Sequence, residues 1–502
     1  MFADGRGVAE NATLEADLCI VGAGAAGIVL ALELAETPLR IVVVEAGGLE
    51  YEPETQDLYR GESVGHSYFK LESSRLRMFG GTTGHWNGWC RPLDPIDFET
   101  RRWVPDSGWP IDRGDLDAFY PAAQRYVQAG PFDYSTPSWE QAADARAFPL
   151  APGLVETGVF QFSPPTRFGT VYRAALRRSR NATVLLHSNV VGIRLEAGGG
   201  AVERLDVATL SGKRFRVRAR RFVVAAGGIE TPRLLLASDD VVRRGVGNEH
   251  DLVGRYFADH PHAPVALASL PEQLTQSSLY SSSPHVRGTT VRGVFVTAEP
   301  MMRAELNLRF SASIDRVGDD PYVDHDSPDE KQTEELGRDL GAVEQGLAGG
   351  GAREIYSLFM RAEQAPNRDS RVTLADDVDA LGMPRARLDW RLGELDRASI
   401  GRSVRALARA FGTARLGHVY SRPEREFDLW EQIEGGYHHL GTARMHDDPR
   451  RGVVDRDCRV HGVRNLYLAG SSVFPTTGYA NPTLTIVALA ARLARHLRTE
   501  AA

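Results

Sequence analysis

Apolar residues crowd the segment from Asp17 to Gly48 in a pattern that changes period twice. Leu18 to Val21 is a continuous apolar run, Ala25 to Glu36 repeats apolar positions at helical spacing, and Ile41 to Val44 is a second β-branched run. Strands that are apolar on both faces belong in a parallel sheet covered by helices, so the segment predicts a βαβ unit. Residues 50 to 145 lose this regularity, because Gly, Pro, Trp and Tyr break them into loops and short helices. Strand-like runs return from Thr183 to Phe222, with a turn at Ser211-Gly212, and Phe222 to Ala226 reads as one more buried strand. A helix is predicted to start at Thr231-Pro232, since proline suits a first helical turn. Between 261 and about 430, strand-like runs (Val291 to Val296, Leu306 to Ser311, Ala386 to Trp390) accompany one clear helix near Asp396 to Ala410. Inside that block Asp315 to Gly351 is polar and glycine-rich and is expected to form an inserted, mobile excursion. A short strand at Leu466 to Ala469 and an apolar helix from about Pro482 to Leu497 return to the opening style.

Helix-and-strand pieces at both ends and in the middle thus flank an antiparallel-looking block. The layout predicts an α/β Rossmann-type domain that is discontinuous in sequence, with an α+β substrate domain on an antiparallel sheet inserted into it. The expected division is 1–260 and 431–502 for the first domain and 261–430 for the second. A chain of 502 residues with 42% hydrophobic and 25% charged residues has ample material for such cores, which excludes a disordered or fibrous protein. The net charge of −7 argues against nucleic acid as a partner. Cys19, Cys90 and Cys458 form no CxxC pair and no disulfide framework, which fits a reducing compartment. No secretory leader is expected in Met1 to Ala16 and no membrane span anywhere, so the expectation is a cytoplasmic protein.

Gly22-Ala23-Gly24-Ala25-Ala26-Gly27 follows the first strand and opens the first helix. Gly22 permits the tight turn, Gly24 lets a pyrophosphate approach the backbone, and Gly27 lets helix and strand pack closely. The helix N-terminus offers N–H groups and a positive dipole end to phosphates. Glu45 ends the next strand, placed to accept the ribose hydroxyls of an adenosine. The fingerprint suits NAD or FAD.

Four further stretches decide between them by resemblance: FGGTTGHWNG (Phe79 to Gly88), AAGGIETPRLLLAS (Ala225 to Ser238), VGRYFADHPH (Val253 to His262), and the pair YHHLGTARM (Tyr437 to Met445) and GYANPTLTIVALA (Gly478 to Ala490). Together they resemble the glucose–methanol–choline (GMC) oxidoreductases, which use FAD. Within that family the sugar-oxidising branch is most similar, namely pyranose 2-oxidases and bacterial glycoside 3-oxidases. The resemblance implies an FAD-binding Rossmann-type domain, a flavin-covering loop at 60–110, and a catalytic pair in the C-terminal part.

Residue by residue, it implies His438 as the general base and Asn481 as the donor that holds the substrate oxygen. It sets Gly81, Thr82, His85, Asn87, Val191, Ala226, Gly227, Gly470, Ser471, Asn481 and Thr483 against the cofactor. Two competing readings stay open: His439 in place of His438, and Asn481 as a helix N-cap before Pro482. Neighbours in an extended segment face opposite ways, so only one of the two histidines should face the flavin. His85 matches a position that in some relatives bonds covalently to the flavin, although Gly84 stands where the sugar oxidases usually have Thr. The spacings of His438, His439, His446 and His461 fit no zinc pattern, so no metal is expected. Trp86, Trp89 and Trp109 are placed either to stack on a sugar or to fill local core, and Arg214 to Arg221 reads as the solvated face of a strand.

The expected reaction is oxidation of a secondary ring hydroxyl, at C2 or C3 of a sugar or glycoside, to a ketone. Hydride passes to flavin N5 and electrons to dioxygen, giving hydrogen peroxide. The alternatives are a dehydrogenase that uses a quinone or protein acceptor, and a redox-neutral or inactive flavin-binding protein. A homo-oligomer is compatible with the sequence.

Overall fold

The computed structural model describes residues 1–276, 278–280, 283–317, 353–421 and 430–499. Three sheets organise these residues. The first has eight strands. Its parallel centre runs Phe2–Asp4, Ala182–Leu186, Ile41–Val44, Thr13–Val21, Arg214–Val224 and Leu466–Leu468. Val202–Ala208 and Asn189–Leu195 extend it antiparallel from the first half of Arg214–Val224. That strand explains its own composition: Arg214, Arg216 and Arg218 are exposed while Phe215, Val217 and Phe222 to Val224 are buried. Phe222 onward is therefore the end of one long strand and not a separate element.

The helices Ala25–Glu33 and Thr483–Thr499 pack against each other, and the apolar core joins residues 18–253 to residues 440–497. The discontinuous α/β domain is thus built from both parts of the chain. Gly27 is where helix meets strand: a Cβ there would lie 1.9 Å from the Gly22 carbonyl oxygen. Only glycine permits that approach.

The second sheet is antiparallel throughout and encloses a second apolar core. Its strands run in the order His418–Ser421, His262–Pro271, Arg353–Ala362, Phe310–Arg316, Thr289–Thr297, Val155–Phe162 and Trp89–Cys90. Two of them come from before residue 260. The helix Glu394–Thr413 covers the sheet with its buried face. A small third sheet pairs Arg371–Val378 with Pro384–Trp390, and the latter with Gly61–Gly65.

Three local expectations change. Leu306 is a left-handed residue (φ 52°) closing the short helix Glu299–Glu305, and the strand begins at Phe310. Asp315 and Arg316 belong to that strand, and residues 318–351 of the expected excursion lie outside the described residues. The helix expected from Thr231 starts at Gly227 and carries Pro232 inside it. Pro232 has no N–H for the Gly228 carbonyl four residues back, and the Thr442 hydroxyl donates to that oxygen instead, at 2.6 Å. A residue 214 positions away thus completes the helix. Among the described residues no helix is long and apolar enough to cross a membrane, and Cys19, Cys90 and Cys458 are buried and free.

Candidate active site

A cavity of about 1100 Å³ runs between the two larger sheets. It exceeds the roughly 300–1,000 Å³ of ordinary small-molecule sites, leaving room for a dinucleotide and a substrate together. Gly22, Gly24, Glu45, Gly81, Thr82, His85, Asn87, Ala226, Gly227, His438, Gly470, Ser471, Asn481 and Thr483 all line it. Gly27 does not, because its place is under the helix. Val191 does not either. A bulge in the strand Asn189–Leu195 falls between Val190 and Gly192, so Val190 faces the cavity and Val191 packs on the first core.

The lining fits a phosphate-bearing dinucleotide. Three helices, Ala25–Glu33, Gly227–Leu236 and Thr483–Thr499, bring their N-terminal ends to the cavity. The first two carry no side-chain cap bond, leaving N–H groups for an anion. A Cβ on Gly24, Gly227 or Gly470 would meet no atom within 4 Å, so these glycines border open space. Glu45 is buried, and its carboxylate accepts the Ala23 N–H at 2.7 Å and the Gly47 N–H at 2.9 Å. Burial pushes its pKa up, against those two donors and the Arg77 charge. Arg77, which also lines the cavity, is held by Glu230 at 3.2 Å and Asn189 at 3.0 Å. Four buried side-chain atoms of lining residues, Arg77 Nε, His262 Nε2, His439 Nε2 and Asn481 Oδ1, have no partner within the protein. Buried polar atoms are rarely left so, and a bound group with its own donors and acceptors would satisfy them.

The stretch from Phe79 to Gly88 is shaped by its surroundings. Arg167 donates to the carbonyls of Thr83 and Trp86, and the Trp86 indole N–H donates to Thr166 O at 2.8 Å. His85 opens to the cavity from the end of the 3-10 turn Gly81–Gly84, its pKa lowered by burial. Trp86 and Trp89 line the cavity, whereas Trp109 is core, bonded to Thr476 Oγ1 at 2.8 Å.

His438 and Asn481 meet although 43 residues separate them: His438 Nε2 and Asn481 Nδ2 are 3.1 Å apart. Asn481 does not cap its helix, since Ile486 N–H is taken by the Pro482 carbonyl and Asn481 Oδ1 has no partner. His439 also borders the cavity, but its ring packs beside Tyr68 and Phe257. Burial holds both histidines neutral at ordinary pH, with His438 well below its usual value and His439 down to about 3. Neighbouring His260, His262 and Arg361 push His438 further the same way.

Three groups behind His438 had no assigned role in the sequence. Asp259 Oδ1 accepts the backbone N–H of Gly436 at 2.9 Å and of His438 at 3.0 Å. These two bonds straddle Tyr437, which sits at φ 60°, a conformation that costs a bulky residue energy and needs such a clamp. Tyr68 Oη donates to the other carboxylate oxygen at 2.5 Å. His260 Nδ1 lies 2.8 Å from His438 Nδ1. Asp259, His260 and His438 bring one ligand-type atom each within 4.8 Å of one another, but the two ring nitrogens are already bonded to each other. The motif ADHPH was visible; its contact with His438, across 178 residues, was not.

Beyond His438 the cavity wall mixes aromatic and polar side chains. Phe69 and Tyr437 stack at 4.0 Å and 15°, Arg361 lies over Trp89 at 4.4 Å, and His262, Gln432 and Glu434 join them.

Residues 17–272 match the family described as FAD dependent oxidoreductase, and residues 366–490 match that described as GMC oxidoreductase. The chain is similar to the fructose dehydrogenase large subunit of Gluconobacter japonicus, 23% identical over 96% of this chain and 98% of that protein. It is also similar to a C-glycoside 3-oxidase of Microbacterium trichothecenolyticum, 28% identical over 84% of this chain and 75% of that protein. Among solved structures, pyridoxine 4-oxidase from Mesorbium loti shares the fold, with a TM-score of 0.57 at 20% identity over 96% of this chain and 98% of that one.

Proposed function

The chain belongs to the FAD dependent oxidoreductases of the GMC family, which act on CH–OH groups, and from that premise we propose that it oxidises a secondary ring hydroxyl, at C2 or C3, of a sugar or glycoside to the ketone. The observation that carries this reading is the meeting of His438 Nε2 with the Asn481 amide where the glycine-lined part of the cavity joins the aromatic and polar part.

FAD, when bound by Gly22, Gly24, Glu45 and the three helix ends, supplies the acceptor for two electrons. The protein supplies the rest. A hydroxyl placed between His438 and Asn481 gives its proton to His438 Nε2, which burial keeps unprotonated and ready. The Asn481 N–H donates to the oxygen as negative charge develops there. Phe69 and Tyr437 offer a flat surface for the apolar face of a ring, while Gln432, Glu434 and Arg361 offer partners for the remaining hydroxyls. The relatives named C-glycoside 3-oxidase and 6'''-hydroxyparomomycin C oxidase support a glycoside substrate and dioxygen as the acceptor. A second reading, the same chemistry with a quinone or protein acceptor, is favoured by the similarity to a fructose dehydrogenase.

The test mixes the yellow protein anaerobically with a panel of sugars and glycosides and follows loss of flavin colour. NMR of the product then reads the carbon attacked. Reoxidation is compared under oxygen and under a quinone. A protein whose colour no sugar or glycoside bleaches would end this reading.

A further inference from the structure

We propose that His260 is a positioning residue that fixes the tautomer of His438, so that the basic lone pair stands on Nε2 and faces Asn481. The inference rests on the reading of His438 as base, and it follows from one atom that cannot change its role. His260 Nε2 lies 3.0 Å from the Gly478 carbonyl oxygen. A carbonyl only accepts, so His260 Nε2 carries a hydrogen. Burial lowers the pKa of His260 to about 4, so the ring is neutral and its Nδ1 has a lone pair. His438 Nδ1, 2.8 Å away, must then be the donor. A neutral imidazole with hydrogen on Nδ1 has its lone pair on Nε2, and that nitrogen is the one beside the Asn481 amide at 3.1 Å. The Gly478 carbonyl thus sets the polarity of a chain running through His260 and His438 to the substrate position.

Asp259 does not do this work. Its Oδ1 is 4.0 Å from His438 Nδ1, beyond hydrogen-bond reach, and it already takes three backbone N–H groups, of His260, Gly436 and His438. The chain orients and does not conduct: the substrate proton stays on His438 Nε2, because His260 has no acceptor able to take its own hydrogen. The resulting imidazolium keeps His260 Nδ1 as the acceptor of its Nδ1–H. The other groups that face His438 are His262, His439, Arg361 and, through Asp259, Tyr68.

The test compares His260→Leu and His260→Asn with the parent, all as FAD-loaded protein. Asparagine presents Oδ1 where His260 Nδ1 stood, restoring the acceptor; leucine removes it. The first readout is ¹⁵N NMR of histidine-labelled protein without substrate, with the His438 signals assigned by their loss in His438→Ala. The parent and His260→Asn should show hydrogen on His438 Nδ1, and His260→Leu should move it wholly or partly to Nε2. The second readout is flavin reduction by a substrate. His260→Leu should be slowed by at least about 10-fold, toward the roughly 10⁴-fold that a wrong tautomer costs a catalytic histidine, with its pH profile displaced and FAD retained. His260→Asn should recover most of the rate. Hydrogen on Nε2 in the parent, or an unchanged tautomer in His260→Leu, overturns the proposal. Should His260→Leu fail to fold, the parent and His260→Asn spectra still decide it. Should no sugar reduce the flavin, the function reading falls while the tautomer measurement stands.

Discussion

Two glycines of one motif should fail in opposite ways when enlarged. Gly24 has φ −77° and ψ −167°, open to any residue, and a Cβ there meets no atom within 4 Å. Replacing Gly24 by Val should leave the flavin-free protein within about 1 kcal/mol of the parent, since the gain from a stiffer unfolded chain offsets a poorer helix cap. The new methyls occupy the approach to the helix N-terminus. Each hydrogen bond to a charged phosphate contributes about 1.5–3 kcal/mol, so losing two costs about 3–6 kcal/mol, or roughly 10²–10⁴ in flavin affinity. Gly27 is the reverse case. Its Cβ would lie 1.9 Å from the Gly22 oxygen, where a carbon–oxygen contact needs about 3.3 Å. The helix Ala25–Glu33 must then back away by more than 1 Å, at an overpacking cost of about 1–3 kcal/mol or above. Urea unfolding of the flavin-free proteins measures the stabilities, and equilibrium dialysis against FAD measures the affinities. Full flavin affinity in Gly24→Val would refute the placement of the pyrophosphate, and parental stability in Gly27→Ala would refute the packing argument.

Three further outcomes are expected. Thr442→Val should cost about 1–3 kcal/mol in urea unfolding by leaving the Gly228 carbonyl buried without a donor, and adding Pro232→Ala, which restores an N–H four residues on, should recover it. Glu45→Ala should weaken FAD retention in dialysis while protein that keeps its flavin reduces it at a normal rate. His438→Ala should slow anaerobic flavin reduction by roughly 10²–10⁴-fold. In the parent, because His438 must be unprotonated and its pKa is depressed, the rate should be flat at neutral pH and fall only below about 6.5. An acid limb above that value in stopped-flow traces would contradict the burial argument.

The sequence made the nucleotide fold legible because Gly22 to Gly27, between a strand and a helix, is a local signal, and the resemblance singled out His438 and Asn481, whose side chains the fold brings to 3.1 Å. What it hid was set by distant or subtle geometry. The resemblance set Val191 against the cofactor, and a bulge between Val190 and Gly192, which breaks the two-residue alternation of the strand, puts Val190 on the cavity wall instead. Pro232 looked like a helix start because the donor that makes an internal proline tolerable, Thr442, lies in another segment. His260 stands in its motif without a visible role, since only the fold brings its ring to His438 and the Gly478 carbonyl. The aromatic pair of Phe69 and Tyr437 was likewise invisible, being assembled from two loops.

The strand Leu466–Leu468 lies directly beside Phe222 to Val224, yet the ribosome makes it some 240 residues later. At roughly 5–20 residues per second, the nascent chain spends about 12–50 s with the edge of Phe222 to Val224 uncovered. That interval is a window for edge-to-edge association between neighbouring nascent chains. Slower initiation, which spaces ribosomes apart on the message, should therefore raise the yield of native protein more than slower elongation, which lengthens the exposure.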